Sequence, residues 1–128
     1  MTHKWLRLET LLILHSESLA EHGGPDGVRD MGLLESAIER PTNRAHYGDG
    51  DLYDFAAEYA FGIVRNHPFV DGNKRTGFLA AATFLLINGR LLIADEADAT
   101  LKTLALAASE IDQHAFADWL RANTQAYP

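Results

Sequence analysis

Positions 67–75 read His-Pro-Phe-Val-Asp-Gly-Asn-Lys-Arg, which gathers a base, a carboxylate, an amide and two cations in one short segment. His67 can take up a proton near neutral pH. Asp71 offers the hard oxygen that Mg²⁺ prefers, and Mg²⁺ is usually shared between one or two carboxylates and substrate phosphates. Lys74 is a point charge, and Arg75 is a planar fork that grips a phosphate through two parallel bonds. Gly72 allows a tight turn and a close approach of the backbone. Phe69 reads as the anchor that pins the segment into a core. Singly, each residue has a plainer reading: a structural histidine, a helix cap at Asp71 or Asn73, a solvated helix start at Lys74 and Arg75, a turn glycine. Together they read as a polyphosphate site, where a base beside a metal-bound polyphosphate activates a hydroxyl for in-line attack on phosphorus.

The elements around this segment decide whether those groups can meet. Apolar periodicity favours helices throughout, so the expected fold class is all-α. A first helix is expected over about Leu8 to His22, with Leu11, Leu12, Leu19 and Ala20 toward the core and Gly23 and Gly24 ending it. Asp30 should cap a second helix carrying Leu33, Leu34, Ala37 and Ile38, which Pro41 should stop; residues 42–50 then form a polar connection. Asp51 should cap a third, with Leu52, Phe55, Ala56, Tyr59 and Ile63 on one face, ending near Asn66 because Pro68 restricts the residue before it. The fourth starts close to Asn73 and ends at Asn88 and Gly89, with Phe78, Leu79, Ala82, Leu85 and Leu86 in one stripe. Being apolar nearly all round, it reads as the buried central helix. A short extended piece, 91–93, and two helices, about 97–108 and 113–123, complete the chain. The chemical segment thus lies at the mouth of the most apolar helix, where free N–H groups and the helix dipole attract anions.

The same nine residues resemble the signature of the Fic/Doc family, histidine-x-phenylalanine-x-acidic-glycine-asparagine-x-arginine, and the lysine before the arginine resembles its death-on-curing (Doc) branch. His22-Gly23-Gly24, Gly27-Val28-Arg29-Asp30, residues 33–37, Tyr47-Gly48 and Asn88-Gly89 resemble that branch more loosely. The resemblance implies an all-α Fic fold of about six helices around a buried central one, with the signature between two antiparallel helices. It implies His67 as base, Asp71 as Mg²⁺ ligand, and Asn73, Lys74 and Arg75 as phosphate contacts, with ATP as co-substrate. Doc-like proteins are toxins of toxin–antitoxin pairs that phosphorylate elongation factor Tu and stop translation. Adenylylating Fic enzymes usually carry glycine before the signature arginine and a second arginine three residues after it. Here those positions are Lys74 and Phe78. The change removes a grip on the terminal phosphate and adds charge to the loop, which favours phosphotransfer to a protein hydroxyl over AMP transfer. Many Fic proteins also inhibit themselves through a glutamate followed by glycine or asparagine. No glutamate here is so followed, which implies a brake supplied in trans by an antitoxin with a disordered segment.

Composition limits the remaining choices. The 128 residues suit a single domain spanning 1–128, and with 47% apolar residues a core needs no staples. The absence of cysteine excludes disulfides and thiolate metal sites and fits a reducing cytoplasm. No signal peptide is apparent, and the uncharged stretch 76–88 is too short to span a bilayer. A net charge of −7, from 11 Lys and Arg against 18 Asp and Glu, disfavours nucleic acid and anionic membranes as partners and suits a basic protein partner. Elsewhere the plain readings hold. His15 and His22 are surface or core-edge histidines and the acidic run 95–98 suits a helix start. Arg65 reaches either a phosphate or a salt bridge. Phe116 and Trp119 are core or an antitoxin-binding face. Residues 24–29 with 43–47 form a target-docking rim. A non-catalytic phosphate-binding module is the remaining alternative, against which the base and the metal ligand both speak.

Overall fold

A computed structural model describes residues 2–128. Six helices follow one another: α1 (Leu8–His22), α2 (Met31–His46), α3 (Leu52–Asn66), α4 (Asn73–Ile87), α5 (Glu96–Ala107) and α6 (Gln113–Ala122). Two short strands, β1 (Arg90–Leu92) and β2 (Thr124–Ala126), pair antiparallel with Leu91 opposite Gln125. The fold is all-α apart from this ribbon. Among the described residues no helix is long and apolar enough to cross a membrane.

Aspartate starts four of the helices. Asp30, Asp51, Asp95 and Asp112 each accept backbone N–H groups of the first turn of α2, α3, α5 and α6, satisfying donors that have no partner within the helix. At α3 the cap is reciprocal, since Asp54 also accepts from the Asp51 amide at 2.9 Å. Asp51 further accepts from Arg121 of α6 at 2.9 Å. Burial opposes the charged form of Asp51, but hydrogen bonds from the Asp54 amide and from Arg121 outweigh it and hold its carboxyl below the ordinary value of 3.8.

The core centres on α3, which packs on α2, α4, α5 and α6. Phe55, Ala56, Tyr59, Ala60 and Ile63 are all buried. This corrects the expectation that α4 is the central helix. Only one side of α4, at Ala80, Ala81, Phe84 and Leu85, enters the core, while Leu86 is exposed and Phe78, Leu79 and Ala82 are half-buried along a cleft. An apolar helix surface can serve a cleft as well as a core, and periodicity does not separate the two. Two glycines set the helix spacing. A Cβ on Gly62 would come within 3.1 Å of the Ala37 Cβ, and one on Gly77 within 3.1 Å of the Ala60 carbonyl oxygen. The hydroxyl of Tyr59, pushed up to about 12 by burial, accepts from the Leu6 amide at 3.0 Å and seats the N-terminal segment on the core.

Other expectations also change. Pro41 does not stop α2, which runs on to His46, so the first part of the expected connection 42–50 is helical. Pro41 cannot donate to the Ala37 carbonyl, yet the helix continues because Leu34, Ala37 and Pro41 are buried on the side that meets α3. Ala20 is exposed, whereas His15 takes a core position in α1. Phe116 and Trp119 are buried, so they belong to the core and present no binding face. Among the described residues Arg65 pairs with no carboxylate and does not line the cleft at the turn; it donates to the Ser109 hydroxyl and lies over the Phe61 ring.

Candidate active site

The chemical segment forms the turn between α3 and α4. These helices run antiparallel, as the Tyr59 and Phe84 rings 5.2 Å apart and the approach of Gly77 to Val64 show. α3 ends at His67, whose φ of +52° is left-handed. A non-glycine residue held there stores about 1–2 kcal/mol of strain, so neighbouring contacts must fix it. Arg29 does so, donating through Nε to the His67 carbonyl at 2.7 Å and through Nη2 to the Asn66 carbonyl at 2.9 Å. The guanidinium thereby also covers the negative end of the α3 dipole.

The segment before α2 runs beside the turn as a bridge. The amides of Arg29 and Asp30 donate to the Pro68 carbonyl, and the Val70 amide donates to the Gly27 carbonyl. Val28 to Asp30 are therefore scaffold for the turn, a role beyond the docking one expected of residues 24–29. Tyr47, 85% exposed, remains free for contact.

Phe69 is fully buried, as an anchor should be, and its ring stacks on that of His15 with centroids 3.8 Å apart. Asn73, itself buried, clasps the same residue. Its Oδ1 accepts from the Phe69 amide and its Nδ2 donates to the Phe69 carbonyl, both at 2.9 Å. The amide expected to meet phosphate therefore has its side chain engaged with the loop backbone.

Gly72, at φ +80°, makes the left-handed step into α4. No side chain caps this helix. Thr76 N–H bonds back to the Gly72 carbonyl at 3.0 Å, so the amides of Asn73, Lys74 and Arg75 form the open start of the helix. Asp71 is exposed and its Oδ1 accepts from the Gly72 amide at 2.8 Å. Gly24 passes beside this carboxylate at φ +118°, a conformation that favours glycine, and a Cβ there would lie 2.5 Å from the Asp71 Oδ2 and displace it.

The side chains of His67, Lys74 and Arg75 are exposed to one cleft of about 990 Å³, which Asp71, Gly72 and Asn73 also line. α1 contributes Glu17 and Glu21 to its wall, and the half-buried face of α4 opposes Thr100, Thr103 and Leu104 of α5. The cleft therefore joins a polar head, at the open end of α4, to an apolar arm. Such a shape accepts a molecule with a charged end and a flat or apolar body.

Sequence reasoning missed Arg29 and His15. Both act on the turn from 38 to 56 residues away, beyond any local spacing rule. One signal was available for His15: with Leu11 and Ser18 it occupies i, i+4 and i+7 positions on the buried side of α1.

Compared with protein families, residues 5–85 match the Fic/DOC family. Toxin Doc of Mycolicibacterium smegmatis is 47% identical over 85 residues, covering 65% of this chain and 65% of that protein. Protein adenylyltransferase Fic of Drosophila melanogaster is 38% identical over 65 residues, covering 51% of this chain. That of Drosophila ananassae is 37% identical over the same length. The chain spans 13% of either adenylyltransferase. The whole turn, His67 to Arg75, falls inside the family match. With that match extending over more than half of its residues, the chain belongs to the Fic/DOC family, on the side of the Doc toxin.

Proposed function

We propose that the protein is a Doc-like toxin that transfers the γ-phosphoryl group of ATP to a hydroxyl of a translation protein, elongation factor Tu being the expected target. The observation that carries this reading is the meeting of His67, Asp71, Lys74 and Arg75 in one cleft at an uncapped helix start. Lys74 and Phe78 direct it toward phosphotransfer, because they stand where adenylylating relatives carry glycine and arginine.

The chemistry follows from the positions. The open N–H groups of α4 with Lys74 and Arg75 bind the polyphosphate. His67, exposed at the cleft, takes the proton of the attacking hydroxyl. The hydroxyl oxygen bonds to the γ-phosphorus as the bond to the bridging oxygen breaks, and ADP leaves. Among the described residues no group of three or more His, Cys, Asp or Glu gathers where it could hold a metal. Asp71 alone, with Oδ1 bonded to Gly72, fits an ion that arrives on nucleotide phosphates and takes one ligand from the protein. Mg²⁺ bound there supplies charge neutralisation on the phosphates. A toxin of this kind requires a partner that restrains it, and an antitoxin whose disordered segment folds on binding meets that need.

Incubation with γ-labelled ATP and cell extract should label one translation protein, and His67→Ala should lower transfer by about 10²–10⁴-fold without unfolding the protein. Label from α-labelled ATP alone would overturn phosphotransfer in favour of AMP transfer, the reading that the identity to adenylyltransferases supports. No transfer from either nucleotide, with nucleotide still bound, would leave a phosphate-binding module.

A further inference from the structure

We propose that His15 is a positioning residue that orients the Asp71 carboxylate from beneath the turn. The inference rests on the reading of Asp71 as the ligand of a nucleotide-borne metal. His15 lies on α1, 56 residues away in sequence, and is 3% exposed. Its Nε2 stands 2.8 Å from the Asp71 carbonyl oxygen. A carbonyl only accepts, so the ring donates from Nε2. Its face stacks on Phe69 at an interplanar angle of 9°. One side chain thus holds the turn at residues 69 and 71.

The peptide unit between Asp71 and Gly72 carries the effect to the carboxylate. This unit is planar, with its C=O and N–H fixed relative to each other. His15 holds the oxygen edge, and the N–H edge donates to Asp71 Oδ1 at 2.8 Å. Fixing one edge therefore fixes the donor that orients the carboxylate. Gly72 sits directly on the ring, where a Cβ would lie 3.6 Å from His15 Cδ2. An apolar residue would fill this core position equally well, and only a side chain with a donor reaches the carbonyl. On the other side of the ring, Nδ1 is 4.0 Å from Asp26 Oδ1, beyond hydrogen-bond range. The turn is thus held at its base end by Arg29 and at its acid end by His15.

The test compares His15→Phe, which keeps the stacked ring and removes the donor, with His15→Gln, which restores a donor. In the nucleotide-free protein, the Gly72 amide should exchange faster in the Phe variant and at the wild-type rate in the Gln variant, with α3 and α4 core amides unchanged. In the transfer assay, run with both α- and γ-labelled ATP, the Phe variant should need about 10-fold more Mg²⁺ for half-maximal rate. Its rate at saturating Mg²⁺ should be preserved, and the Gln variant should return the requirement to the wild-type range. Should the Phe variant not fold, His15→Met, flexible enough to fill the space, takes its place. Wild-type Gly72 exchange and Mg²⁺ requirement in a folded donorless variant would overturn the proposal. So would loss of protection throughout α3 and α4, or failure of Gln to rescue. A wild-type protein that transfers nothing would overturn the proposed function, and the exchange comparison would then decide the role of His15 alone.

Discussion

At the scale of residues, the turn separates groups that face the cleft from groups that hold the turn. His67, Lys74 and Arg75 face outward; Phe69 and Asn73 face inward. Asn73→Ala would leave the buried amide and carbonyl of Phe69 without partners, and denaturant unfolding should show a loss of about 2 kcal/mol. Asn73→Asp should not rescue it, because a carboxylate accepts from the amide but repels the carbonyl. A wild-type midpoint in either variant would show that the clasp contributes nothing. The outward set was legible in the sequence, because one turn between two helices keeps neighbours in sequence neighbours in space. Arg29 and His15 were not, since their partners are brought to them only by the packing of α1 and of the 27–30 segment.

At the scale of elements, the starts of α2 and α3 were readable because Asp30 and Asp51 precede apolar-periodic segments, and α5 and α6 prove to start on an aspartate too, at Asp95 and Asp112. Pro41 misled because a local rule met buried packing. The β1–β2 ribbon was half visible, as an extended piece whose partner lies more than thirty residues further on. Two predictions belong here. Gly77→Ala places a methyl 3.1 Å from the Ala60 carbonyl oxygen of α3. Overpacking costs about 1–3 kcal/mol and helix propensity returns up to about 1 kcal/mol. Thermal unfolding should therefore show a net loss; a gain would mean that α3 and α4 separate freely. Asp51 gives the second. Its folded carboxyl lies below 3.8, so the stability it adds is fully present above that value and disappears as pH falls through the folded value. Asp51→Asn keeps a neutral cap, so wild type should be the more stable at pH 6 and the difference should close in acid. A difference independent of pH would remove the Arg121 pairing from the account.

At the scale of the whole molecule, both ends of the described chain meet at the far end of α4. Lys4 exchanges backbone hydrogen bonds with the Asn88 side chain, and the Tyr127 amide donates to the Gly89 carbonyl. The turn lies at the other end of that helix, about 22 Å away at 1.5 Å per residue. A circular permutant joined through a short flexible linker and opened at the exposed 47–50 turn should therefore fold with a melting temperature close to that of the parent; an unfolded product would show that the two ends do not sit together. The arrangement of poles matters more for a ligand. The negative pole of α3 and the positive pole of α4 face the same turn, and left alone they would largely cancel at the cleft. Arg29, which does not line the cleft, occupies the carbonyl pole. In a molecule of net charge −7, whose cleft also carries Asp71, Glu17 and Glu21, the start of α4 with Lys74 and Arg75 is then the local positive point, and an incoming anion is drawn there with the opposing pole of α3 already covered.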